Sequence, residues 1–294
     1  MIHREITGRT GRDAHSVGVV SVMKNLREFA TVAAREAGAL LKNRFGLSHS
    51  ITFKGDIDIV TEADRLSENL LVAGIRETYP DHGILSEESP AIEGGSDVRW
   101  IIDPLDGTTN YAHGFPFFCV SIALERKGET VLGVIYDPLL DELFLAEKNG
   151  GAFLNGSPIA VSDTRDLSNS LLATGFPYDI RVNPDNNLGT FNRMALRARA
   201  IRRAGSAALD LAYLAAGRFD GYWELRLKPW DRAAGALMVT EAGGVVSDLA
   251  GEEHTLVSEA IVASNGLIHA GMLDVLAENP DGSRDPSNNP FRTA

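Results

Sequence analysis

Cysteine is nearly absent from this 294-residue chain: Cys119 is the single one, so no intrachain disulfide can form and the reducing cytoplasm is the expected home. Its setting in "FFCVSIAL" reads as a small buried hydrophobe. No run of 18 apolar residues and no signal-peptide pattern occurs, so neither a membrane span nor secretion is expected. Positive charge is also short, 28 Lys and Arg against 40 Asp and Glu for a net charge of −12. That balance argues against nucleic acid as the main partner, because such affinity comes from cations displacing counterions. The one basic run, "RMALRARAIRR" from Arg193 to Arg203, reads as a solvated helix face. Several catalytic signatures are missing too. The seven histidines are scattered without HExxH spacing, and neither GxSxG, GxxxxGK[ST] nor GxGxxG appears, which removes the commonest zinc, serine-hydrolase, P-loop and dinucleotide signals. His113 reads as a local hydrogen-bonding residue.

What is present is the makeup of an ordinary globular protein, 44% hydrophobic and 23% charged. Residues 1–22 show neither helical nor strand periodicity and are expected to form a flexible extension. From Asn25 the pattern turns helical, with Leu26, Phe29, Ala33, Ala37, Leu40 and Leu41 at three- and four-residue steps until Gly46. "ITFKGDIDIVTEAD" alternates like a hairpin feeding a second helix from Asp64 to Tyr79, whose buried face is expected to carry Leu66, Leu70 and Ile75. Residues 117–161 read as an antiparallel meander punctuated by Lys-Gly, Asp-Pro and Asn-Gly turns. Past Val161 helices and strands alternate, with helices near Asn187–Arg197, Ser206–Ala216 and Ala233–Ala242 and strands at "SLLATGF", "AIRRAG", "GYWEL", "GVVSD" and "AIVASN". "EAGG" at Glu241–Gly244 reads as a helix end leading into a strand. The expected division is an N-terminal α+β lobe over 23–160, a C-terminal α/β lobe over 161–278 and a disordered tail over 279–294, where Asn, Pro, Asp and Ser dominate.

Four acids fall at turns after apolar strands, where side chains converge: Glu87 in "GILSEES", Asp103 and Asp106 in "WIIDPLDGTTN", and Asp231 in "LKPWDRAAG". Clustered carboxylates raise one another's pKa unless a cation intervenes. A hard divalent cation answers that need, and oxygen-only ligation suits Mg²⁺. Pro104 fixes one φ and Gly107 permits a tight turn, so the Asp103 and Asp106 carboxylates and the Leu105 carbonyl can face one point. Behind them Thr108 and Thr109 offer hydroxyls and N–H groups to a phosphate or a water. In outline this is metal-assisted phosphoryl chemistry.

"IDPLDGTTN", "GDIDIVTEAD", "LSEES" and "KPWDRAAG" followed by "TEAGG" are similar in order and spacing to the inositol monophosphatase family of Mg²⁺-dependent, lithium-sensitive phosphatases, over roughly Leu26 to Leu273. "AFLNG" and "LKPWD" resemble its bacterial inositol-1-monophosphatases. The resemblance implies a layered α/β/α/β/α sandwich and two to three Mg²⁺ ions. It implies Glu87, Asp103, the Leu105 carbonyl, Asp106 and Asp231 as metal ligands, and Asp64 and Thr108 as the groups that position and activate water near Glu87. Substrate contacts would come from Gly107 and Thr108, whose N–H groups meet the phosphate, from Glu224, which accepts from leaving-group hydroxyls, and from Gly205, Ser206 and Ala207, with Leu105, Asp106 and Asp231 at the same site. Ser86 departs from the usual glycine before the metal-binding Glu, and "TGFPYDIRVNPDNN" departs on the substrate side.

The expected reaction is hydrolysis of a small phosphate monoester, myo-inositol 1-phosphate foremost, by a homodimer. Fructose 1,6-bisphosphate, histidinol phosphate and 3'-phosphoadenosine 5'-phosphate are alternative substrates on the same core. A regulatory or binding protein that keeps this fold is the alternative of a different class.

Overall fold

A computed structural model of the chain describes residues 12–47, 51–53, 59–184 and 186–278. Helix α1 (Arg12–Arg44) leads through the paired strands β1 (Ile51–Phe53) and β2 (Ile59–Thr61) into α2 (Glu62–Thr78). The expected hairpin is therefore present in its two arms, while its turn, 54–58, lies outside the described residues, as does the expected tail. A seven-stranded sheet follows: β3 (Gly83–Ser86), β4 (Val98–Asp106), β5 (Cys119–Arg126), β6 (Glu129–Asp137), β7 (Glu142–Glu147), β8 (Gly151–Leu154) and β9 (Ser157–Pro158), with the short α3 (Thr108–Ala112) between β4 and β5. Strands β5 to β9 form the expected antiparallel meander, β4 extends it by pairing antiparallel with β5, and β3 joins β4 in parallel at the edge.

The rest of the chain supplies β10 (Leu171–Thr174), α4 (Leu188–Ala195), β11 (Ala200–Arg202), α5 (Ala207–Ala215), β12 (Gly221–Leu225), α6 (Pro229–Glu241), β13 (Val245–Ser247), β14 (Ala260–Ser264) and α7 (His269–Leu276). Its five strands lie in the order β11-β10-β12-β14-β13.

Period-two alternation in the strands builds the layers. In β4, Trp100 and Ile102 face the core under α1 and α2, whereas Ile101 faces the opposite core with α5 and α6. In β12, Tyr222 faces α5 and α6 while Trp223 turns outward to Met194 of α4 and Met272 of α7. Helices thus cover both faces of both sheets, and α5 and α6 form the layer the sheets share. This is an α/β/α/β/α sandwich. Among the described residues no helix is long and apolar enough to cross a membrane.

Four local expectations need correction. Helix α1 begins at Arg12 and not near Asn25, because a helix nucleated by an amphipathic stretch propagates at one hydrogen bond per residue into a weakly patterned one. Helix α6 begins at Pro229, with Pro at its start and Asp231 accepting from the Lys228 N–H, a stronger start signal than the apolar spacing from Ala233. The helix-face reading of the Arg193–Arg203 run holds only for its first residues, and the strand expected at "AIRRAG" takes its end. Helix α4 ends at Ala195, and Ala200–Arg202 pair with β10 as β11. Lastly, the buried face of α2 is Ala63, Asp64, Ser67, Glu68, Leu71 and Ile75, with Leu66 and Leu70 only half-buried.

Close approach of α6 to the large sheet depends on Gly133 in β6. A Cβ there would lie 2.9 Å from the Ala234 carbonyl oxygen and 3.0 Å from its Cα. Gly133→Ala should destabilise by about 1–3 kcal/mol through overpacking. Gly271→Ala, on α7 where an added Cβ meets nothing within 4 Å, should be neutral or stabilise by up to about 1 kcal/mol. Urea unfolding followed by the fluorescence of buried Trp100 and Trp223 reads both.

Candidate active site

The end of β4 departs from regular pairing. Its register against β5 shifts between Asp103 and Asp106, a bulge that accommodates Pro104, which has no N–H for the ladder. Within the bulge the Leu105 N–H donates to Asp103 Oδ1 at 3.0 Å, and Ser67 Oγ on α2 donates to the Pro104 carbonyl at 2.7 Å. Gly107 then takes φ +101°, and an added Cβ would stand 2.9 Å from the Phe117 carbonyl oxygen, so both conformation and space require glycine.

Helix α2 braces three pieces of the site from one face, at positions i, i+3 and i+4. Asp64 accepts from the Thr61 N–H at 2.8 Å and the Thr61 hydroxyl at 2.5 Å on Oδ2, and from Thr108 Oγ1 at 2.7 Å on Oδ1. Ser67 holds Pro104. Glu68, itself buried, accepts from the Glu88 N–H at 3.2 Å and Ser89 Oγ at 2.6 Å, fixing the loop that carries Glu87.

The other lobe of the site comes from α5 and α6. Asp106 Oδ2 accepts from Ser206 Oγ at 2.6 Å and from the Ala208 N–H at 2.7 Å, which ties the β4 turn to the positive end of α5. Asn110 Nδ2 reaches the carbonyls of Phe117, at 2.7 Å, and Ala204, at 2.8 Å, joining α3 to the loop before α5.

These elements enclose a cavity of about 450 Å³. Glu87, Asp103, Leu105, Asp106, Gly107, Thr108, Gly205, Ser206, Ala207, Glu224 and Asp231 all line it, as does Thr109. Asp64 does not; it stands one hydrogen bond behind the wall, through Thr108. Ser206 also caps α5 by accepting from the Leu209 N–H. His113 ends α3 and is not part of the wall. Ser86 is buried, and its hydroxyl has no partner among the described residues. Sequence reasoning missed Ser67, Glu68, Asn110, Arg203 and Asp210. Of these, Asn110 adjoins "DGTT", and Asp210 carries a signal of its own, a lone charge in an apolar helix.

Electrostatics set the character of the cavity. Burial pushes Asp103 well above the usual carboxylate range, and the charges of Glu87, Asp106 and Asp231 push it further. Asp231 is raised in the same way, by burial and then by Asp106 and Glu87. Asp106 rises to about 6 through burial, against the hydrogen bonds from Ser206 and Ala208. Glu224 rises to about 7, again by burial, although the Tyr222 hydroxyl donates to it. Burial also raises Asp64 against its Thr61 and Thr108 bonds.

Among the described residues no three His, Cys, Asp or Glu side chains are drawn together tightly enough to hold an ion as they stand. The chemistry of the donors nonetheless fits a hard cation. Glu87, Asp103, Asp106, Asp231 and the Leu105 carbonyl are all oxygen ligands. Asp103, Asp106 and Asp231 form no ion pair with Lys or Arg among the described residues. Mutual repulsion without an internal counter-charge is what a divalent cation relieves.

The chain matches the family model described as the inositol monophosphatase family over residues 22–280. It is 44% identical over 254 residues to the Nus factor SuhB of Escherichia coli strain K12, covering 85% of this chain and 95% of that protein. To an inositol-1-monophosphatase of Mesorhizobium japonicum it is 45% identical, covering 82% of this chain and 92% of that one. Among solved structures, the extragenic suppressor protein suhB from Bartonella henselae superposes with a TM-score of 0.81 at 43% identity, over 86% of this chain and 98% of that one. The inositol monophosphatase from Anabaena (Nostoc) sp. PCC 7120 gives 0.79 at 45%, over 86% and 96%.

Raised carboxylate pKa values carry a sign. Above about pH 7.5 an unfolded histidine is mostly neutral, and the lowered His82, His254 and His269 are neutral in the folded state as well. Asp103, Asp210 and Asp231, raised well above the ordinary carboxylate range, and Glu224, raised to about 7, give up their protons later in the folded chain than in the unfolded one. Each of these carboxyls binds its proton more tightly in the folded state, so in the absence of divalent cations its stabilising contribution is lost as pH rises through its folded pKa, about 7 for Glu224. Mg²⁺ at a hundred times its dissociation constant should restore about 2.7 kcal/mol. Urea midpoints at about pH 7.5 and about pH 8.5, where the histidines no longer titrate, with EDTA and with Mg²⁺, check this; a midpoint that rises with pH under EDTA contradicts the clustering.

Proposed function

This chain belongs to the inositol monophosphatase family, and we propose that it is a Mg²⁺-dependent phosphatase of small phosphate monoesters, myo-inositol 1-phosphate foremost. The observation that carries the reading is one cavity where four mutually repelling carboxylates meet a hydroxyl and a glycine turn. Glu87, Asp103, the Leu105 carbonyl, Asp106 and Asp231 would hold two to three Mg²⁺ ions. When bound, Mg²⁺ supplies charge neutralisation to the phosphoryl group and polarises water.

The chain's own residues supply position and proton transfer. Asp64, anchored by both donors of Thr61, takes the Thr108 hydroxyl proton as a hydrogen bond and so leaves the Thr108 oxygen facing the cavity as an acceptor. A water attacking phosphorus would donate to Thr108, and its proton would pass towards Asp64. The turn at Gly107 offers the N–H groups of Gly107 and Thr108 to the phosphoryl oxygens. Glu224 would accept from hydroxyls of the leaving group. Catalysis of this kind is mainly positioning and electrostatics. No covalent phosphoenzyme is needed.

Relatives named Nus factor favour a second reading, a regulatory or binding role beside hydrolysis or in its place. The complete acid set favours the enzyme. Phosphate release from inositol 1-phosphate, fructose 1,6-bisphosphate, histidinol phosphate and 3'-phosphoadenosine 5'-phosphate, with Mg²⁺, with EDTA and with added lithium, separates the two. Wild type should turn over inositol 1-phosphate best, with Mg²⁺ only and less well with lithium. Asp103→Asn should lower the rate by roughly 10³-fold or more while its metal-free form is at least as stable as wild type, because one repelling charge is gone. A rate that survives chelation contradicts the metal reading. Silence from folded wild type across the panel assigns the chain to the regulatory reading.

A further inference from the structure

Asp210 lies in the first turn of α5, is only 1% exposed, and lines the cavity at the wall that also carries Glu224. Its Oδ1 has no hydrogen-bond partner among the described residues. Leaving a buried oxygen unused costs about 1–3 kcal/mol. The helix does not need this carboxyl, since α5 is capped by Ser206 and its Ala208 N–H is taken by Asp106. Nor does packing need it: Leu209, Leu211 and Leu214 around it are buried apolar residues, and a leucine here would continue the pattern. An acid that serves neither cap nor core, placed on a cavity wall, points to a ligand.

The neighbours define what that ligand offers. Glu224 on β12 receives the Tyr222 hydroxyl on one oxygen. The backbone of Gly175 closes over its carboxylate, where an added Cβ would fall 2.1–2.2 Å from the carboxylate atoms. Arg203, also on the wall, biases both acids towards ionisation but forms no ion pair with either among the described residues. Two acids side by side disfavour a leaving group that brings a second phosphate or a carboxylate to this wall. They suit one with hydroxyls on neighbouring carbons, because each hydroxyl can donate to one acid and accept from the other when that acid is protonated.

We propose that Asp210 is a specificity residue, which together with Glu224 selects monoesters of polyols with adjacent hydroxyls over esters of anionic or hydroxyl-free alcohols. This rests on the phosphatase reading and extends it to a residue outside the metal set.

The test is steady-state kinetics of wild type and Asp210→Asn on myo-inositol 1-phosphate and phenyl phosphate with Mg²⁺, joined to binding of myo-inositol itself by saturation-transfer NMR. Asp210→Asn should lower the preference for the inositol ester over phenyl phosphate about tenfold, the size of one hydrogen bond to a charged group, and chiefly through KM. Binding of myo-inositol should weaken by the same factor. An unchanged preference, or equal losses on both esters, overturns the assignment, the second by marking Asp210 as structural. If wild type hydrolyses neither ester, the phosphatase reading fails by itself. The assignment of Asp210 is then read from myo-inositol binding, which must be present in wild type and weakened in the variant. Misfolding is excluded by a urea midpoint no lower than that of wild type; should Asp210→Asn fail that check, Asp210→Ser replaces it under the same criteria.

Discussion

Repulsion among carboxylates gathered in one cavity, Asp103 buried and Glu87, Asp106 and Asp231 half-buried, is the constraint to which the rest of this structure answers. Asp103, Asp106 and Asp231 are held in one cavity with Glu87, and the charges of these acids and their burial together oppose ionisation. Such an arrangement cannot persist on its own account; the packing around it must over-determine it. Three apolar cores do so here, and the middle one, around α5 and α6, touches both sheets. Because α6 carries Asp231 at its start and α5 grips Asp106 at its start, the shared layer sets how far apart the acids stand. Gly133 belongs to the same argument, since the approach of α6 to β6 fixes Asp231 against the β4 turn.

Helix α2 supplies the complementary constraint. Its Asp64, Ser67 and Glu68 bind Thr108, the Pro104 carbonyl and the Glu87 loop, so three segments distant in sequence are referred to one rigid element. Sites held by a helix keep their geometry better than sites held by loops alone. The polar half of the buried face of α2 is thus positional, and the apolar half, Leu71 and Ile75, anchors it to the sheet.

Much of the acid set was legible in the sequence because its signals are local. "DPLDG" joins a residue with fixed φ to one with free φ between acids, and "KPWD" places Pro at a helix start with Asp two residues on. Turn chemistry of that kind survives any tertiary context. The bracing face of α2 was illegible for the opposite reason. Asp64 was reached only through the family resemblance; Ser67 and Glu68 at helical spacing resemble a solvated face, and only the sheet packed against them reverses the meaning, which is why Leu66 and Leu70 were expected inside. Asp210 was readable in principle as the single charge in "SAALDLAYLAA", a stretch apolar on every side. The basic run at 193–203 was read twice, as a charged helix face and as a strand at "AIRRAG", and the pairing of Ala200–Arg202 with β10 decides for the strand over that part.

Charge at the cavity is divided by depth and by chemistry. The acids meet at the glycine turn, whereas Arg203, Arg226 and Lys228 line the same cavity from the loops around β11 and β12. Arg226 is already committed to Asp179, and Arg203 and Lys228 are exposed. A phosphate monoester approaching a chain of net charge −12 is drawn by that cationic edge and repelled by the acids beyond it. Whatever neutralises the acids therefore strengthens the binding of the ester, and the ester by the same factor strengthens the binding of what neutralises them, because linkage between two ligands is reciprocal. On the proposed phosphatase reading, cation and ester occupancy of this cavity would then be one coupled equilibrium, with the repulsion among the acids as the source of the coupling.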